Sequence, residues 1–201
     1  MRPSILPTTL ALLALAAAPA CSSDSASTTD DAERRTQPSM TVEQSEDEGI
    51  LIERLDTNGD GNRDIIRHIE EYQDPRDESR TRRRVRQLEI DLTGDGQINV
   101  RRIYDTFGNP EREENDRNLD GVMDSVLYYV GGEVTRKEYF DETGERVVER
   151  RIYVDGDLAR VERDRNGDGE VDRWEYYEDN VLIRIGRDTV GDGAADTWQL
   201  R

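Results

Sequence analysis

Residues 164–172 read Asp-Arg-Asn-Gly-Asp-Gly-Glu-Val-Asp, and the same nine-residue pattern returns at 56–64 (DTNGDGNRD), 91–99 (DLTGDGQIN), 116–124 (DRNLDGVMD) and 188–196 (DTVGDGAAD). The first Asp recurs at intervals of 35, 25, 48 and 24 residues. The interval of 48 is twice 24, and halving it points to residues 141–149 (DETGERVVE), a decayed sixth copy in which Arg146 replaces a Gly. A fixed period of about 24 residues marks a repeat architecture, and this decides the fold class before any single element is read. The interval of 35 is one period plus about eleven residues, so the polar stretch 73–82 (QDPRDESRTR) is expected to be a loop insertion.

Between the acidic segments the chain reads as strands. Val181, Ile183 and Ile185 alternate with Leu182, Arg184 and Gly186, and residues 146–153 (RVVERRIY) and 158–163 (LARVER) show looser two-residue periods with β-branched and aromatic members. None keeps a helical stripe. Gly131-Gly132, Asp155-Gly156-Asp157 and Glu178-Asp179-Asn180 supply the chemistry of tight turns. Each repeat therefore reads strand, tight turn, strand, acidic loop. The expected fold is mainly β, a repetitive antiparallel meander with a period of about 24 residues over residues 49–201. Arg and Glu on exposed strand faces would pair across strands, each pair contributing little. Trp174 and Trp198 stand ten residues after Asp164 and Asp188, and Tyr104, Tyr129 and Tyr177 stand thirteen after a loop's first Asp. This repeated aromatic stripe is expected to form the core, and His68 to be a strand-face residue.

The composition bounds the function. The 201 residues include 46 Asp or Glu and 28 Lys or Arg, a net charge of −18, and mean hydropathy is −0.92. Of the 33% hydrophobic residues, 13 lie in the first 20 positions, so a thick two-layer core is not expected and the sheet should be thin. Without a basic excess to neutralise phosphates, nucleic acid is excluded as a partner class. One Cys excludes an intramolecular disulfide, and one His excludes His-clustered metal sites. There is no G-x-S-x-G, no HExxH and no catalytic Cys, so an enzyme here would have to be a carboxylate-based extracellular hydrolase. The favoured class is a non-enzymatic protein.

At the start of the chain, Met1-Arg2 supplies a short charged region and residues 5–18 an apolar run too short for a membrane span. It ends in Ala18-Pro19-Ala20-Cys21. This arrangement resembles a bacterial lipoprotein signal, which implies removal of residues 1–20 and acylation of Cys21, the only Cys. Ser22 in place of Asp resembles the pattern of lipoproteins sent to the outer membrane. Ala18 and Pro19 depart from the usual lipoprotein residues, and Ala18-Pro19-Ala20 also fits an ordinary A-x-A cleavage site, which would release a secreted or periplasmic protein. Residues 21–48 contain no aromatic residue and few apolar ones, so they are expected to be a disordered tether joining a membrane anchor to the folded unit.

The acidic loops carry whatever chemistry the chain has. Asp at positions 1, 3 and 5 with Gly at 6 lets a tight backbone aim several oxygens at one point, and only a hard cation makes packed carboxylates favourable. The loops resemble the D-x-[DN]-x-D-G-x-x-D calcium-binding loops of integrin α-subunit propellers and thrombospondin type 3 repeats, and the first half of EF-hand and dockerin loops. An EF-hand has Glu at position 12, where this chain has Arg67, Arg102, Leu127, Glu175 and Gln199, so the β-flanked version closed at position 9 fits better. The resemblance implies calcium as cofactor. The ligand sets it implies are Asp56, Asn58, Asp60, Asn62 and Asp64; Asp91, Thr93, Asp95 and Asn99; Asp116, Asn118, Asp120, Val122 and Asp124; Asp164, Asn166, Asp168, Glu170 and Asp172; and Asp188, Asp192 and Asp196, with Asn62, Val122 and Glu170 acting through backbone carbonyls. The sets at Asp56, Asp116 and Asp164 should bind best, and the decayed copy at Asp141 should bind nothing. The competing reading is that Asp-Gly and Asn-Gly are turn formers and the repeat is metal-independent.

Overall fold

The computed structural model describes residues 37–47 and 49–201. The signal segment 1–20, Cys21 and the tether as far as residue 36 lie outside the described residues. Thirteen strands follow one another: β1 Ser39–Gln44, β2 Ile50–Asp56, β3 Ile65–Asp74, β4 Asp77–Ile90, β5 Val100–Tyr104, β6 Pro110–Asn115, β7 Ser125–Val130, β8 Glu133–Phe140, β9 Val147–Val154, β10 Asp157–Arg163, β11 Arg173–Glu178, β12 Val181–Arg187 and β13 Thr197–Leu200. Each pairs antiparallel with the next, in a single open sheet whose spatial order is its chain order. The mainly β meander expected from the repeats is what forms, and it does not close: among the described residues β1 pairs only with β2 and β13 only with β12.

The turn residues set the alternation. Gly131 and Gly132 have φ of 62° and 87°, and Asp179 and Asn180 have φ of 50° and 61°. Two successive positive φ values make a two-residue turn whose twist matches the flanking strands. Short turns at one end and nine-residue acidic loops at the other put two strands in every repeat, so all six loops emerge along the same edge of the sheet.

Three expectations are corrected. The sheet begins at Ser39, inside the stretch assigned to the tether, because a strand can add to the edge of β2 through backbone hydrogen bonds without burying side chains; all six residues of β1 are exposed. The stretch 73–82 is strand rather than inserted loop: β3 and β4 run on as a long hairpin that turns at Pro75 and Arg76. Its polar side chains satisfy one another, with Arg82 on Asp74 at 2.6 Å, Arg83 on Glu71 at 2.8 Å and Arg84 on Glu70 at 2.8 Å. Nor do the aromatics form the core. Trp174, Tyr104, Tyr129 and Tyr177 are half-buried and Trp198 is exposed, while the buried apolar side chains are Ile69, Val126, Val161 and Ile185.

Those four are outnumbered by thirteen buried polar or charged residues, so burial in this sheet is chiefly ionic and hydrogen-bonded. Glu89, Arg101, Glu114, Val126, Glu138, Arg150, Glu162 and Trp174 lie side by side on β4 to β11, one row on one face. Arg101 reaches Glu89 at 2.9 Å and Glu114 at 3.0 Å; Arg150 reaches Glu138 at 2.9 Å and Glu162 at 3.0 Å. On the other face Arg163 joins Glu149 and Glu175, both at 2.7 Å, and Arg173 joins Glu175 at 2.6 Å. Burial alone would raise the Glu175 pKa, but hydrogen bonds from Arg163, Arg173 and Tyr177 outweigh it and hold the carboxyl below its ordinary range. The arginine stems cover apolar surface while their heads pair, which gives a sheet without a second layer a partial substitute for a core.

Candidate functional site

The loop edge concentrates the protein's charge. The six nine-residue loops contain 19 Asp or Glu and four Arg, a net −15 out of −18 for the whole chain. Neighbouring loops are two strand spacings apart, about 9.5 Å, and they touch. The Asn62 amide donates to the Gly94 carbonyl at 2.7 Å, the Gln97 amide lies against Gly121, Val122 against Gly144, Arg146 against Gly167 and Glu170 against Gly193. A residue at the sixth or seventh position of each loop thus seats on a glycine of the next, and the loops form a continuous stack.

Within a loop, the first Asp organises the turn. Asp164 Oδ1 accepts the Gly167 N–H at 2.6 Å and Oδ2 the Gly169 N–H at 2.9 Å; Asp56 accepts from Gly59 at 2.5 Å and Gly61 at 3.0 Å, and Asp116 from Leu119 at 2.7 Å and Gly121 at 2.9 Å. Leu119 takes φ of 63° to do so, at a position where the other loops have glycine. The third and fifth residues interlock: the Asp168 N–H donates to Asn166 Oδ1 at 3.0 Å, Asn166 Nδ2 to Asp168 Oδ2 at 2.8 Å, and the Glu170 N–H to Asp168 Oδ1 at 2.8 Å. The loops at Asp56 and Asp116 repeat this, through Asn58, Asp60 and Asn62 and through Asn118, Asp120 and Val122. The ninth residue closes the loop: Asp172 accepts N–H bonds from Arg165 and Asn166, Asp124 from Arg117 and Asn118, Asp64 from Thr57, and Asp196 from Thr189 and Val190.

The weaker copies differ as their sequences do. Thr93 donates its hydroxyl to Asp91, and Asn99 turns its amide oxygen to the Leu92 N–H, so two of the expected ligands there are engaged inside the loop; Asp95 accepts the Gln97 N–H. At Asp188, Val190 contributes only its N–H, and Asp192 accepts from Ala194 at 3.1 Å. In the decayed copy Arg146 pairs with Asp141 at 3.3 Å and extends toward Asp164 of the next loop at 3.9 Å.

At Asp64, Asp91, Asp116 and Asp188 these donors favour the ionised carboxylate. The Thr57 hydroxyl, then its N–H, lowers the Asp64 pKa, and the Gly191 N–H does the same for Asp188. Burial would raise the pKa of Asp91 and Asp116, but backbone N–H groups, led by Gly96 and Gly121 respectively, reverse the sign. Each first Asp has thus exchanged water for peptide N–H groups, and since each carboxylate oxygen has two lone pairs, acceptor capacity remains. Among the described residues, however, no three His, Cys, Asp or Glu side chains converge closely enough to hold a metal ion. The nineteen expected Asp and Asn ligands are brought to one edge, loop by loop, without a convergent carboxylate triplet among the described residues. Between the fifth and sixth loops lies a cavity of about 360 Å³ lined by Asn166, Asp168, Glu170, Asp172 and Asp188. His68 stays on its strand face, Nε2 3.7 Å from Glu89.

Cross-strand Arg–Glu pairing was expected, but not its continuity as a half-buried row, although the signal was there: Glu114, Glu138 and Glu162 recur at intervals of 24, each two residues after Arg112, Arg136 or Arg160.

No protein-family model matches the chain, and no curated protein does. Among solved structures, the chain is similar to accessory secretory protein 1, 2 and 3 of Streptococcus pneumoniae (14% identity, TM-score 0.30, 62% of this chain and 19% of that one). It is also similar to the G117R mutant of S. aureus TarM in complex with Fondaparinux, alpha-GlcNAc-glycerol and UDP (14% identity, TM-score 0.30, 49% and 21%) and to the glycosylation-associated Gap123 complex of Streptococcus agalactiae (16% identity, TM-score 0.23, 64% and 19%). The chain spans about a fifth of the length of each.

Proposed function

We propose that this chain is a non-catalytic, lipid-anchored β-repeat protein of the bacterial envelope that binds calcium along its loop edge and offers its sheet to a protein or surface partner. One observation carries the calcium reading: three loops with different intervening residues hold Asp, Asn, Asp and Asp at positions 1, 3, 5 and 9 in the same hydrogen-bonded form, stacked on an edge with net charge −15. Such an edge repels itself, and hard oxygen donors of this kind suit a hard divalent cation. Asp56, Asn58, Asp60 and Asp64, with their counterparts at Asp116 and Asp164, would hold the ion, and binding to the folded form alone would stabilise it. The N-terminal residues support the anchor: Cys21 follows a cleavable apolar segment directly.

Calcium calorimetry on the purified protein tests this, followed by a melt with and without EDTA. Saturable binding and a lower melting temperature in EDTA are expected. No heat of binding together with an unchanged melt refutes the calcium reading. A metal-independent repeat is the second reading, favoured by the backbone N–H groups that already satisfy the loop carboxylates and by the lack of a convergent triplet.

A further inference from the structure

The last repeat breaks the ionic pattern of the others. Arg112, Arg136, Arg160 and Arg184 recur at intervals of 24 on one face, and the first three pair with the Glu two residues on, at 2.7, 3.5 and 2.9 Å. Two residues after Arg184 stands Gly186. A Cβ there would lie 2.9 Å from the Trp198 ring and 3.0 Å from Ala195, so the indole fills the space that the acid occupies elsewhere. The Arg184 guanidinium lies 4.4 Å from the Tyr176 ring centroid and 4.4 Å from that of Trp198, the two rings being 5.9 Å apart and tilted by 43°. Among the described residues it has no carboxylate partner. Trp198 is 50% exposed.

A guanidinium held over rings without an acid partner has N–H donors to spare, and its fork can grip a carboxylate by two bonds. Beside it, the exposed indole offers a flat apolar surface. We propose that this notch binds an acidic sugar, with the carboxylate on Arg184 and the pyranose ring against Trp198. Arg184 and Trp198 are both exposed, which suits a flat ring better than a side chain needing a pocket. An extended peptide would instead dock on the outer edge of β13, two strand spacings or about 9.5 Å from the strand of Arg184. The inference stands apart from the calcium reading.

The test is calorimetric titration of the full-length protein, at fixed calcium concentration, with trigalacturonic acid and with neutral galactotriose. The acidic trisaccharide should bind, more weakly as salt rises, and Arg184→Gln should weaken it by about tenfold or more, the loss of one charge-assisted pair. Trp198→Ala should abolish binding, and Arg160→Gln should leave it unchanged, with far-UV circular dichroism showing each variant folded. Equal binding of the neutral sugar, parental affinity in Arg184→Gln, or no binding of the acid at concentrations on the order of 1 mM overturns the proposal. So does binding that survives Arg184→Gln and vanishes in EDTA, which would assign the acid to loop-bound calcium.

Discussion

Arg150→Met should show whether ion pairs stand in for a core. Arg150 is 34% exposed and bridges Glu138 and Glu162, whose side chains are 9% and 10% exposed, at 2.9 and 3.0 Å. The hydrogen bond it donates to Glu138, opposed by burial, raises its pKa, so the Arg150 cation is retained throughout the accessible pH range. Removing the cation leaves two carboxylates roughly 8 Å apart, a repulsion of about 2 kcal/mol at an effective dielectric constant near 20. Two charge-assisted hydrogen bonds vanish as well, each worth about 1 kcal/mol once discounted for partial exposure. Relaxation of the carboxylates toward water offsets part of this, leaving a loss of about 2–3 kcal/mol. For a chain of this size that corresponds to a fall of roughly 5–10 °C in melting temperature. Urea unfolding followed by tryptophan emission measures it. A midpoint for Arg150→Met equal to that of the parent would refute the ladder as a structural element.

Ile185→Ala, at a side chain 1% exposed, should destabilise by about 2–4 kcal/mol, whereas Ile183→Ala, 37% exposed, should change stability by less than about 0.5 kcal/mol; equal effects in thermal melts would contradict the assigned burial. Asp168→Ala should lower the calcium stoichiometry by one and Glu145→Ala should leave it unchanged, as counted by calorimetry. The Thr57 hydroxyl lowers the pKa of Asp64, the Gly191 N–H that of Asp188, and N–H donors led by Gly121 overcome burial to lower that of Asp116. Their contribution is complete above the ordinary carboxylate range and disappears as pH falls through their depressed folded-state values. The melting temperature should therefore be flat near neutrality and drop on acidification below about pH 4; a chain that grows more stable there would reverse the sign of the argument.

The meander was legible because its determinants are local. Asp179-Asn180 and Gly131-Gly132 make turns by their own backbone freedom, and Asp164 folds its loop by accepting N–H groups three and five residues away. What escaped a linear reading depends on neighbours across the sheet. Ser39–Gln44 buries no side chain and becomes a strand because the edge of β2 is open to it. Residues 73–82 look like an insertion, yet Arg82 finds Asp74 on the facing strand and Arg83, just beyond, finds Glu71. The loop residues were identified individually, but their spacing could not show that Asn62, Gln97, Val122, Arg146 and Glu170 would link one loop to the next.

Order along the chain thus determined the alternation of strand, turn and acidic loop, since those states are chosen by residues within a few positions of one another. Only the tertiary structure decided which side chains became neighbours: that Glu138 and Glu162 would flank Arg150, that the indole of Trp198 would lie over Gly186, and that the sheet would stay open at β1 and β13. The physical reason is register. A shift of one residue between two strands sends every side chain to the opposite face, so rows of charge and ring exist only once all the pairings are fixed together.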